Sequence, residues 1–143
     1  ANEFGYDDNG NYTWSAWLYP FDATSVQVMM KSQCDDGGTS ESGFLIWVDA
    51  SSKICIGEPV DTAFFCSNYA VSAYKWTHFV ITQERESAMK VYINGTFDKS
   101  GSMTVIDESA EDIFIGSDTA TDWTSCNGGD YSGLMDEILI FNI

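Results

Sequence analysis

Residues 76–95 read WTHFVITQERESAMKVYING. The runs 76–83 and 89–95 in this stretch are strand-like, and the second ends at Asn94-Gly95, a pair that accepts the positive φ values of a tight hairpin turn. Strand alternation over 89–95 sends Val91 and Ile93 to one face and Lys90 and Tyr92 to the other. The same rhythm recurs outward in both directions, with β-rich runs about every ten to fifteen residues between Gly, Asp, Ser and Asn clusters. These runs are 12–20, 25–31, 43–49, 52–58, 62–67, 112–117 and 134–142. Helical periodicity is hard to find anywhere, so the expected fold is an all-β sandwich. Asp49-Ala-Ser-Ser52 reads as a second hairpin turn. In 43–49 Phe44, Ile46 and Val48 are the core candidates, which puts Leu45 and Trp47 on the opposite face. The longest irregular stretch, SDTATDWTSCNGGDYSG at 117–133, is of a length that usually serves a function or a clamp.

The 143 residues suffice for one ordinary domain, 1–143, with a sizeable core. Apolar residues make up 44% against 20% charged, which excludes the composition of a disordered chain. Twenty-two acidic residues against six basic ones give a net charge of -16, which argues against nucleic acid or an anionic membrane surface as partner. The acid is uneven: residues 100–143 hold nine Asp or Glu and no basic residue, and the first 30 residues have no basic group either. No apolar run reaches the roughly 18 residues of a spanning helix, and residues 1–10 lack the pattern of a signal peptide, so a mature or excised soluble segment is expected.

Four cysteines, Cys34, Cys55, Cys66 and Cys126, show no metal-binding spacing, and with a single His in the chain a structural zinc site is poorly supported. Two disulfides, and hence an oxidising compartment, fit better. Three connectivities are open; Cys55 with Cys66, closing a short loop between neighbouring strands, and then Cys34 with Cys126, is the favoured one. Asn11-Tyr12-Thr13 and Asn94-Gly95-Thr96 are glycosylation sequons.

Taken in order, YTWSAWLYP, VMMKSQ, SGFLIWVDASSKICIG, WTHFVITQERESAMKVYINGTFDKSG, DIFIGSD and YSGLMDEILIFN resemble the laminin-G-like and pentraxin-like domains of the concanavalin A-like jelly-roll superfamily. The resemblance covers roughly residues 12–142. Its most specific parts are a Trp-x-His-Phe strand, a strand ending in Tyr-Ile-Asn-Gly, an Ile-Gly-Ser strand end and the final Gly-x-x-Asp-Glu-Ile-x-Ile-Phe-Asn strand. It implies two antiparallel sheets, one concave, with ligand on the concave face or at a rim of loops. The chain departs from the family in three respects: Leu139 stands where Arg is frequent, the N-terminal strand is abbreviated, and the cysteine spacing is its own.

Similar jelly rolls also hold a structural calcium with an Asp of the last strand. Asp136 is in phase with Ile138 and Ile140, so strict alternation turns its carboxylate inward, where it needs a partner such as calcium, with Asp7, Asp8 and Asn9 nearby. The competing reading is a bulge near Gly133 that resets the alternation, or backbone N–H partners alone. A Cys34–Cys126 bond would gather Asp35, Asp36, Asp118, Asp122, Asn127 and Asp130 on one rim, an oxygen-only set suited to calcium, or else a solvated acidic surface.

Trp123, Asp122 and Asn127, with Trp47, Tyr69 and Tyr92, are the expected sugar contacts, because sugar C–H faces stack on rings while hydroxyls bond to Asp and Asn. Trp14, Trp17 and Trp76 are read as packing residues. Relatives that cleave glycans use two carboxylates on one strand face; Glu84 with Glu86 sits at a strand end, and Asp136 with Glu137 is adjacent, so neither pair suits hydrolysis. His78 has no recognisable nucleophile to join, and reads as structural. The expected function is a non-catalytic, calcium-bearing, glycan-binding module of a larger secreted or surface protein. The alternative is a protein-binding adhesion or spacer domain with other surface proteins as partners.

Overall fold

The computed structural model describes residues 11–24, 26–31, 44–57, 64–84, 88–102, 113–116 and 130–142. They form ten strands: β1 Tyr12–Pro20, β2 Val26–Lys31, β3 Phe44–Val48, β4 Lys53–Gly57, β5 Phe64–Ala70, β6 Thr77–Glu84, β7 Ala88–Ile93, β8 Thr96–Gly101, β9 Phe114–Ile115 and β10 Gly133–Asn142. Two antiparallel sheets of five result, in the orders β10-β1-β6-β7-β8 and β5-β4-β3-β2-β9. This is the all-β sandwich expected from the strand rhythm, in the two-sheet jelly-roll form that the family resemblance implies. No helix occurs among the described residues, so none there is long and apolar enough to cross a membrane.

Alternation fixes which side chains fill the space between the sheets. β6 and β7 bury every second residue, and Phe79, Ile81, Met89, Val91 and Ile93 point inward. β1 contributes Trp14, Ala16 and Leu18, all fully buried, and the second sheet answers with Phe44, Ile46, Val48, Ile54 and Ile56. Trp14 is the keystone: its ring centroid lies 5.2 Å from that of Phe44 and 5.9 Å from that of Tyr12. Burying side chains of this size contributes about 1.5–3 kcal/mol each.

Both expected hairpins are present. Asn94 and Gly95 take φ of 51° and 75°, and Asn94 Oδ1 accepts the His78 N–H at 2.9 Å. At the other turn Asp49 Oδ1 accepts the N–H groups of Ser51 and Lys53, both at 2.8 Å, which holds Ser52 at φ 62°. The strand after Asn94-Gly95, TFDKSG, lacks an apolar alternation because it is a sheet edge. An extra residue, Asp98, is accommodated where Val91 pairs with Lys99 and Tyr92 with Phe97. The Asp98 carboxylate crosses to the other sheet and accepts the N–H groups of Asn68 at 2.6 Å and Tyr69 at 3.1 Å.

Cys55 and Cys66 are directly paired across β4 and β5 and form a disulfide, as favoured from the sequence. Cys34 and Cys126 lie outside the described residues. The face of the second sheet away from the core carries its own small cluster, Leu45, Trp47 and Cys55, with Cys66 and Phe114 against it.

The Cys55–Cys66 bond closes a segment of sequence separation 11. Replacing both cysteines by Ala should lower the unfolding free energy by about 3 kcal/mol, the chain-entropy value for a loop of that size, read as a lower urea midpoint.

Candidate carbohydrate-binding face

The phase that buries Trp14, Ala16 and Leu18 turns Trp17 and Tyr19 to the opposite face of the first sheet. There Trp17 pairs laterally with His78 of β6, and their ring centroids lie 4.9 Å apart. Rings then follow one another without a break: Trp17 to Trp76 at 6.5 Å, Trp76 to Tyr19 at 5.3 Å, Tyr19 to Tyr74 at 6.5 Å and Tyr74 to Phe21 at 5.9 Å. Most of these contacts are tilted or edge-on, the favoured geometry of aromatic pairs, and Phe21 stacks on Tyr74 at 22°. The outer members are open to solvent: Phe21 is 44%, Tyr74 67% and Trp76 41% exposed. Leu134, Leu139 and Phe141 of β10 are also exposed, which makes this one apolar face rather than scattered rings. Reading Trp17 and Trp76 as packing residues is therefore corrected.

The face is held in shape by the backbone beneath it. Tyr74 adopts φ 59°, in the left-handed region that a bulky residue enters at a cost of about 1–2 kcal/mol. Its N–H donates to the Pro20 carbonyl at 2.7 Å, which fixes the 71–76 connection against the end of β1. Phe21 N–H donates to Ser132 O at 2.7 Å, and β1 reaches Gly133 at Pro20. At Gly133 a Cβ would lie 2.4 Å from the Tyr19 carbonyl oxygen, so this close approach requires glycine.

Polar groups border the rings. Ser15 Oγ and His78 Nε2 are hydrogen-bonded at 2.9 Å, and Trp17 Nε1 donates to Glu137 Oε2 at 3.1 Å. Glu137 is placed by a bulge: Ser15 pairs with Leu139 and Trp17 with Asp136, so Glu137 and Ile138 together face Ala16. Glu137 sits at φ 47°, and Asp136 Oδ1 accepts its N–H at 2.8 Å. The slip corrects the expectation that Asp136 points inward with Ile138 and Ile140. Met135, Ile138 and Ile140 pack on the core, whereas Asp136 and Glu137 are both exposed.

At the same end of the sheet, beyond the Asn94-Gly95 turn, Tyr69, Ile93, Asn94, Thr96, Phe97 and Asp98 line a cleft of about 280 Å³. This is near the lower limit of small-ligand sites. Tyr69 is a lining residue; Tyr92 is not, and it stands edge-on to the lining residue Phe97 at 5.7 Å. Trp47 does not join them. It faces away from the core as alternation requires, but it is only 8% exposed beside the disulfide, leaving little ring surface for stacking.

Trp123, Asp122, Asn127, Asp35, Asp36 and Asp118 lie outside the described residues, as do Asp7, Asp8, Asn9 and Glu86. Asp130 is described and exposed. Asp49, Cys55 and Cys66 also lie close together, within 4.8 Å. The sulfurs are bonded to each other and one Asp49 oxygen holds the turn, so this grouping offers a metal little.

Alternation could have found the missed residues. Trp14 and Trp17 are three apart on one strand, so they cannot share a face.

The profile of the family described as the concanavalin A-like lectin/glucanases superfamily, Laminin_G_3, matches residues 2–143. Domain 4 of AbnA, an extracellular arabinanase of Geobacillus stearothermophilus solved with arabinotriose, superposes with a TM-score of 0.66 at 17% identity, over 94% of this chain and 61% of that one. The LG1-3 region of the laminin α2 chain gives 0.67 at 15% identity, over 92% of this chain and 27% of that one. The CBM40 of the Ruminococcus gnavus IT-sialidase, bound to α2,3 sialyllactose, gives 0.64 at 10% identity, over 93% and 75%. The chain thus spans less than two thirds of the first two of these structures. No curated protein matches it in sequence.

Tyr131 borders the platform and ties its supports together. Its N–H donates to Gly116 O at 2.9 Å, and burial pushes its phenol up to about 12, partly offset by a backbone hydrogen bond at Tyr19. The neutral phenol is the form that folding favours. Its contribution is therefore complete below about pH 10 and lost as pH rises through 12. Tyr131→Phe should flatten the fall in urea midpoint over that window. Set on these strands and this register, the chain belongs to the concanavalin A-like lectin/glucanases superfamily.

Proposed function

We propose that this chain is a non-catalytic carbohydrate-binding module of a larger secreted or surface protein, and that it binds through the aromatic face of its first sheet. The observation that carries the reading is the run of exposed rings at Phe21, Tyr74 and Trp76 beside open carboxylates. Rings give sugar C–H faces an apolar surface, and carboxylate oxygens accept from hydroxyls. The arabinanase domain holding arabinotriose and the CBM40 holding sialyllactose support this reading, since they show related folds bound to oligosaccharides. Tyr69, through the cleft, and Tyr92, through its contact with Phe97, belong to the same proposal, and Trp123, Asp122 and Asn127 keep their proposed sugar contacts.

Calcium remains part of the proposal. Asp136 and Asp130 are the described carboxylates that would contribute oxygens, with Asp35, Asp36 and Asp118. One Asp136 oxygen already accepts the Glu137 amide, so it would offer the other. Calorimetric titration of chelator-treated protein should show binding; a flat titration would remove calcium from the reading.

The second reading, a protein-binding adhesion or spacer domain, draws on the laminin likeness and the exposed Leu134, Leu139 and Phe141. A glycan-array screen separates the two. Tyr74→Gly distinguishes binding from folding: glycine relieves the φ 59° strain, so stability should hold or rise by about 1 kcal/mol. Affinity for the glycan identified by the array should fall roughly tenfold. Trp76→Ala should weaken binding similarly. Unchanged affinity in both variants would move the site off this face.

A further inference from the structure

We infer that the glycan taken by this face carries no acidic group and is recognised through its hydroxyl donors. The inference rests on the glycan reading above and names the ligand class for the same site. The described segments that build the platform, residues 17–24, 74–78 and 130–139, expose Asp22, Asp130, Asp136 and Glu137 against one lysine, Lys75. The cleft adds Asp98 and no cation. Lys90, on the same sheet, is already paired with Glu84, and Lys99 is held by the Cys66 carbonyl and lies over the Phe65 ring.

Two donors that a sugar carboxylate or sulfate could use are already engaged. Trp17 Nε1 donates to Glu137, and His78 Nε2 is engaged with Ser15. The acceptors are in surplus. Asp22 Oδ1 takes the Thr24 amide and hydroxyl, and its second oxygen has no partner among the described residues. Glu137 uses only Oε2 on Trp17. Asn94, which lines the cleft, spends its Oδ1 on the His78 amide and keeps Nδ2 as a neutral donor group. A surface with many acceptors and few free cations is matched by a molecule rich in neutral donors, which vicinal hydroxyls supply. An acidic sugar would instead bring like charge to a carboxylate-bordered surface, and that repulsion acts over about one Debye length, roughly 8 Å at physiological salt. The chain's net charge of -16 adds to that repulsion at longer range.

The test compares matched pairs by calorimetry on the full chain, with and without calcium. The probes are lactose against α2,3 sialyllactose, galactan oligosaccharides against oligogalacturonides, and arabinotriose as a further neutral probe. At least one neutral probe should bind, and each acidic partner should bind roughly tenfold more weakly at low salt, the gap closing as salt rises. Converting Asp22→Asn and Glu137→Gln together should narrow the gap by raising acidic-probe affinity. An acidic probe binding as tightly as its neutral partner, in either calcium condition, would overturn the inference while leaving the glycan reading intact. Failure of every probe would overturn both.

Discussion

Everything on the outer face follows from the burial of Trp14. The indole is fully buried between the two sheets, against Phe44 and Tyr12, whereas the opposite phase of β1 would bury Trp17 and Tyr19 together with the polar Thr13 and Ser15. With Trp14 inward, strict alternation sends Ala16 and Leu18 inward and Trp17 and Tyr19 outward. One packing constraint in the core therefore places two aromatic rings on the surface, and the 71–76 connection adds Tyr74 and Trp76 beside them. The last strand cannot follow the same strict phase. Its bulge at Glu137 lets Met135, Ile138 and Ile140 all reach the core while Asp136 and Glu137 turn to solvent. Core packing thus fixes both the rings and the carboxylate that bonds to one of them.

Rings at 41–67% exposure leave apolar area in water, and the strained backbone of Tyr74 adds to the cost. Neither feature serves the core, which is complete without them. The edge-on contacts among Trp17, Trp76, Tyr19 and Tyr74 recover part of that cost by packing the rings against one another. The strong negative charge keeps such a face from associating with copies of itself. A patch that is rigid, apolar and charge-protected suits a ligand of small, neutral, hydroxyl-rich units.

The fold was legible because strand spacing, the Asn94-Gly95 turn and the Asp49 turn are local signals. The pairings across those two turns and the Cys55–Cys66 bond followed from short connections, whereas the pairing of β1 with β6 and β10 joins strands far apart in sequence. β8 was not legible, because an edge strand with one solvated side needs no apolar alternation, and its extra residue Asp98 breaks what pattern remains. The site was less legible than the fold. Tyr69 lines a cleft that Tyr92 reaches only through Phe97, and Trp47 lies against a disulfide, a cover that no local pattern announces. Asp136 was assigned an inward position by alternation alone. The bulge that reverses it depends on Asp136 accepting the Glu137 amide, an interaction between neighbours that periodicity does not encode.

The chain holds five tryptophans, each with an indole N–H that reports its own surroundings. Titrating the protein with a neutral oligosaccharide while following these five signals by NMR tests the aromatic face directly. Saturable shifts at Trp17 and Trp76, with Trp14 unmoved, are the expected result. Shifts confined to Trp47 or Trp123, with Trp17 and Trp76 silent, would contradict it and place the ligand on another part of the molecule.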